Sequence, residues 1–171
     1  FTALLIGSLG GTLGSVMLGT TISKEIQEHV YDLFLIRPVK RWHILVSKYL
    51  AVFSCLILAT FLTLGLSVGF DYVRGTYAKQ VVISDLKNLL MIFGTMSMAC
   101  SFGVIIGTFA KSVAVSAILS IYVGNQLTGI LILPGLLIPG VNELVLTPLL
   151  GFSLTIVLLG LSIMRFNSKQ F

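Results

Sequence analysis

An all-α integral membrane protein is the fold class this sequence predicts, on three observations. Charged residues make up 10% of the 171-residue chain and 56% of it is hydrophobic, whereas soluble domains carry roughly 25% charged residues. Uncharged runs cover residues 1–23, 49–70, 88–110, 112–142 and 144–164. One polar segment, residues 24–48, stands between the first two of these runs and holds eight of the seventeen charged side chains. A soluble fold of this size would lack the polar residues to cover its surface. At about 1.5 Å rise per residue, helices the length of most of these runs span the hydrocarbon core of a bilayer, roughly 30 Å thick.

The run 1–23 has neither a charged stretch before it nor a small-residue cleavage site after it, so it reads as a span and not as a signal peptide. From just before the polar segment into it, Ile22, Ile26, Val30, Leu33 and Phe34 recur at helical spacing and form one apolar stripe. The opposite face carries Lys24, Glu25, Gln27, Glu28, Tyr31 and Asp32. Thr21 or Ser23 supplies a cap for such a helix, and early Glu25 and Glu28 suit the positive end of its dipole. Pro38 disfavours helical geometry at Arg37 and ends it. Lys40 and Arg41 occupy the turn, and Trp42 follows where an indole prefers the headgroup layer. The prediction is an amphipathic helix along the membrane surface, an elbow, and a basic helix leading into the span 49–70. The span 88–110 comes next. The run 112–142 is too long for one straight crossing and contains Pro134-Gly135 and Pro139-Gly140. A helix to about Leu133 is expected there, then a broken segment outside, reaching to Pro148 around the start of the last span, 144–164. Residues 1–171 thus read as a single transmembrane domain of five crossings.

Orientation follows from Lys and Arg, which are in excess on the cytoplasmic side. With 24–48 inside, Lys24, Arg37, Lys40, Arg41, Lys48, Lys111, Arg165 and Lys169 are cytoplasmic, and Arg74, Lys79 and Lys87 are outside. Residue 1 then falls outside, which predicts a further span before it and six in the intact subunit. The net charge of +5 is explained by anionic lipid at the cytoplasmic surface and calls for no nucleic acid. Cys55 and Cys100 both lie inside spans, fit no metal-site spacing, and are expected to be packing residues. Small residues four apart, at Gly7/Gly11, Gly10/Gly14, Gly65/Gly69 and Gly103/Gly107, predict close helix packing, more within the subunit than across a dimer seam.

Helices that merely lie on lipid are usually basic on the polar face. This one carries Glu25, Glu28 and Asp32 against Lys24, so it is expected to meet a protein. An acidic helix ending in Pro38-Val39-Lys40-Arg41, then an aliphatic stretch and Ser47-Lys48 before a span, resembles the type-two ABC transporter permease family. Glu25 and Glu28 match the acidic positions of that family's pattern, and Leu33 to Leu35 the aliphatic ones. His29 stands where the family often has Gly, and Lys40 where it usually has Ser. The short basic link at Lys111 and the Pro-containing segment before the last span are also similar. The resemblance implies a permease subunit of an ATP-driven exporter in the cytoplasmic membrane of a prokaryote. It implies a second permease copy or paralogue as partner, and a nucleotide-binding ATPase subunit that holds ATP and magnesium. It also makes Glu25, Glu28, His29, Asp32, Arg37, Pro38, Lys40 and Arg41 the coupling residues.

The spans contain no Asp, Glu, Lys, Arg or His, which argues against an ion-coupled carrier. Asn125-Gln126, near the middle of its span, either lines a pathway or hydrogen-bonds another helix. Ser97, Cys100 and Ser101 form a second polar patch, with Ser97 and Ser101 as further pathway candidates. No GxxxxGK[ST] phosphate loop, nucleophile–base pair or metal cluster occurs. Catalysis and a cofactor in this chain itself are therefore not expected. The competing expectation is a non-transporting membrane scaffold that uses the same platform to hold a soluble partner. The transported substrate is not legible.

Overall fold

The computed structural model describes residues 2–28, 41–74, 79–110, 112–137 and 143–168. They form five helices: α1 Thr2–Gln27, α2 Arg41–Val73, α3 Lys79–Phe109, α4 Val113–Leu137 and α5 Glu143–Ser168. No strand occurs among the described residues. Three helices hold stretches long and apolar enough to cross a membrane, Trp42–Phe70 in α2, Asn88–Phe109 in α3 and Val145–Arg165 in α5. In α4 the apolar stretch Val113–Gln126 is shorter. In α1, Gly7, Gly10, Gly11, Gly14 and Gly19 together with seven Ser and Thr residues dilute the leucines.

Helix directions follow from which residues meet. Gly7 faces Thr95, Gly11 faces Ala99, Gly103 faces Ser15 and Gly107 faces Gly19, so α1 and α3 run parallel. Gly94 meets Pro148 and Gly151 while Ser97 bonds Thr155, so α5 is parallel to them. Gly14 against Leu56, and Glu25 against Lys48, make α2 antiparallel to α1. Gly19 against Ser116 and Ser120, with Gly124 against Thr12 and Ser15, do the same for α4. The chain is an up-and-down bundle with α3 at its centre.

Lipid tails are as apolar as leucine, so helices in a membrane associate through close packing and hydrogen bonds more than through hydrophobic burial. Position 103 shows how close the approach is: a Cβ there would stand 2.5 Å from the Ser15 carbonyl oxygen. Burial follows the same plan, with 72% of the apolar α3 stretch buried against 6% of that in α2. Along α2, Leu58, Leu62, Leu66 and Phe70 are all exposed. Such a surface is at home in hydrocarbon, and the chain reads as a membrane protein.

Three local expectations are corrected. No new helix starts at Thr21 or Ser23: α1 runs unbroken to Gln27 because nothing between Gly19 and Gln27 breaks a helix, and Ser23 is fully buried. Helix α4 does not stop at Leu133 but passes Pro134 and Gly135 to Leu137, while Pro139-Gly140 lies outside the described residues. Pro148 falls inside α5, in its second turn, where proline cannot give the i→i−4 hydrogen bond that the position calls for. Its Cα lies 2.6 Å from the place a Cβ on Gly94 would take, so glycine opposite makes room for it.

Candidate functional site

The alternating bundle brings the end of α1, the start of α2 and the ends of α3 and α5 to one pole. Lys24, Glu25, Glu28, Lys48 and Arg165 gather there, and Arg74 stands at the opposite pole. Arg165 lies over the Phe109 ring at 5.0 Å, joining α5 to α3. Here the polar segment leaves α1 and returns into α2, and its two ends are tied together. Glu25 forms an ion pair with Lys48, each side chain about a quarter exposed, at 24% and 23%. Beneath the pair, Leu18, Ile22, Leu45, Tyr49, Cys100 and Val104 form a buried cluster against which Ile26 and Ile44 pack. The sequence-predicted apolar stripe holds as far as it is described: Ile22 is fully buried and Ile26 is packed against that cluster.

The other predicted site residues divide. Glu28 is exposed and lies 3.8 Å from Lys24, one helical turn away. Arg41 opens α2, followed by Trp42, exposed and stacked on His43 with ring centroids 3.8 Å apart. His29, Asp32, Arg37, Pro38 and Lys40 lie outside the described residues, as do Val30, Leu33 and Phe34. Glu25, read from the sequence as part of the outward acidic face, turns to Lys48.

One residue that the sequence did not single out links this pole to the middle of the bundle. The Tyr49 hydroxyl reaches Ser97 Oγ at 2.9 Å and the Ser97 carbonyl at 3.3 Å. Ser97 Oγ lies 2.9 Å from Thr155 Oγ1, and Thr155 donates to the Gly151 carbonyl at 2.7 Å. A hydroxyl has a single proton to give. Because Thr155 spends its proton on Gly151, it accepts from Ser97, and Ser97 accepts from Tyr49. The result is a directed chain from α2 through α3 to α5. A tyrosine with its ring in an apolar core and its hydroxyl near a buried serine was the available signal, but spacing alone could not pair residues 48 positions apart.

Ser101, paired with Ser97 in the sequence reading, is buried but donates to its own helix, to the Met98 carbonyl at 2.7 Å. Ser15 bridges α1 to the Ser120 carbonyl of α4 at 3.1 Å. The Ser23, Ser116 and Ser120 hydroxyl oxygens are buried without a hydrogen-bond partner. A Cβ on Gly19 would come within 2.5 Å of Ser120 Oγ and 2.9 Å of Ser116 Oγ, so these two hydroxyls occupy the space that a side chain at position 19 would need. Asn125 and Gln126 are exposed and bond no other helix among the described residues. Cys100 is buried, as expected of a packing residue, whereas Cys55 is exposed. No group of three metal-ligating side chains occurs among the described residues.

No curated protein and no solved structure matches this chain. A family model does, over residues 13–167, which takes in the tied pole, the Tyr49–Ser97–Thr155 chain and part or all of each helix; the protein belongs to the family described as Protein of unknown function (DUF2705).

Proposed function

We propose that this chain is the transmembrane permease subunit of an ATP-driven exporter resembling the type-two ABC class. In this reading each of the five helices crosses the membrane, and residues 24–48 form the cytoplasmic coupling segment seated on a separate nucleotide-binding ATPase. That ATPase holds the ATP and magnesium, and a second permease copy or paralogue completes the pathway. The observation that carries the reading is the tie between Glu25 and Lys48 over the buried Ile22–Leu45–Tyr49 cluster. A segment that transmits force needs a base that does not slip. Here the base joins two helices, and Tyr49 extends it by hydrogen bonds to α3 and α5. In this reading, Glu25 and Glu28 divide the labour within the acidic face. Glu25 holds the base, while exposed Glu28 is available to a partner, with His29, Asp32, Arg37, Pro38, Lys40 and Arg41 completing the coupling element.

The test is purification of the tagged protein from its native membrane in mild detergent. An ATPase is expected to co-purify, and Glu28→Lys to lower both its yield and the ATP hydrolysis of the complex. Recovery of the wild-type protein with no nucleotide-hydrolysing subunit, or with a soluble partner of another kind, would sink the exporter reading in favour of a scaffold.

A further inference from the structure

We propose that the outward face of α4 is the seam at which a second copy of this chain docks, its Asn125 and Gln126 amides bonding across it. The inference names a surface for the permease pair of the reading above, and rests on that reading only for the expectation of two such subunits. Depth comes first. A Cβ on Gly124 would lie 2.8 Å from Ser15 Oγ and 3.1 Å from the Thr12 Cα, and one on neighbouring Gly11 2.9 Å from the Ala99 Cβ. Ala99 stands at the centre of the apolar stretch Asn88–Phe109. The two amides therefore sit close to the midplane of the bundle's apolar belt.

Both side chains are exposed, and neither bonds another described residue. Hydrocarbon cannot satisfy an amide, and polar groups left bare at that depth are costly. The same face carries Val115, Ile118 and Tyr122, all exposed, so it is not built to line water. Val115, Ile118, Tyr122 and Asn125 are spaced by three, four and three residues. That is the seam of two helices packed side by side, in which one polar residue sets register and partner. Each amide carries both a donor and an acceptor. Identical faces related by a two-fold axis therefore satisfy one another, which lipid or a purely apolar partner cannot do.

The experiment uses the full-length protein in its native membrane, with Cys55→Ser and Cys100→Ala as background. Tyr122→Cys is expected to cross-link between copies on mild oxidation, and Leu62→Cys, exposed on α2, is expected not to. Association read by Förster transfer between chains in bilayers is expected to weaken roughly tenfold when Asn125→Leu and Gln126→Leu are combined, as loss of interhelical amide bonds implies. The proposal is overturned if Tyr122→Cys reaches the membrane and does not cross-link, or if association survives loss of both amides unchanged. It is equally overturned if Asn125→Cys reacts with a membrane-impermeant maleimide, which would place the face on a water-filled pathway. None of these readouts needs an ATPase, so failure of the exporter reading leaves the cross-link standing and failure of the seam leaves ATPase co-purification standing.

Discussion

The hydroxyl of Tyr49 is the only donor for the first bond of the Tyr49–Ser97–Thr155 chain, and Thr155 is where the Ser97 proton goes. The two ends should therefore respond differently to substitution. Tyr49→Phe removes one interhelical bond and leaves Ser97 with a spare acceptor, for a loss of about 0.6–1.7 kcal/mol, the range for such bonds in membranes. Thr155→Val keeps the shape but strands a buried donor, a defect of roughly 1–3 kcal/mol. Unfolding in mixed detergent should rank Thr155→Val below Tyr49→Phe; the reverse order would mean that the protons run the other way. Glycines offer a second contrast. Gly103→Ala drives a Cβ against the Ser15 backbone and should cost roughly 1–3 kcal/mol through overpacking. Gly65→Ala meets nothing within 4 Å and should be neutral, or stabilising by up to about 1 kcal/mol from helix propensity. Equal effects at the two sites, by the same unfolding measurement, would show that α1 and α3 do not pack through Gly103.

Among the elements, the junction of α1 with α2 is where a single pair of charges matters. Surface ion pairs contribute little, but Glu25 and Lys48 are largely covered and their carbon stems lie over an apolar cluster. Glu25→Lys should loosen the junction by on the order of 1 kcal/mol. Combining it with Lys48→Glu should restore most of that, because the pair is re-formed with its signs exchanged. Protection of the Ile26 and Leu45 amides in hydrogen exchange reports both outcomes, and a double variant no better than the single one would remove the pair from the argument. The sequence told part of this story. The stripe Ile22–Ile26 and the basic start of α2 were legible from helical periodicity and from Trp42. The inward turn of Glu25 was not, because a carboxylate on a solvent-facing heptad position looks the same whether or not a lysine from the next helix is within reach. The end of α4 was misjudged for a related reason: Pro134 signals a break locally, yet the helix continues past it to Leu137.

Over the whole molecule, the central helix is buried and the second stands almost bare, an arrangement that suits a surround of lipid. The protein should stay in the membrane pellet through alkaline carbonate washing, and release into the supernatant would contradict the membrane assignment. That assignment is what the sequence by itself determined, together with helical class and the one strongly polar excursion between the first two apolar runs. These depend on composition and on period along the chain, which a linear reading captures. Which small residues meet, which hydroxyl gives its proton to which, that Glu25 closes a junction and that Asn125 and Gln126 face outward were decided only by tertiary structure. Where a helix is apolar all round, no amphipathic stripe marks its inner face. Fit between glycine-lined surfaces selects it, and fit is a property of pairs of helices.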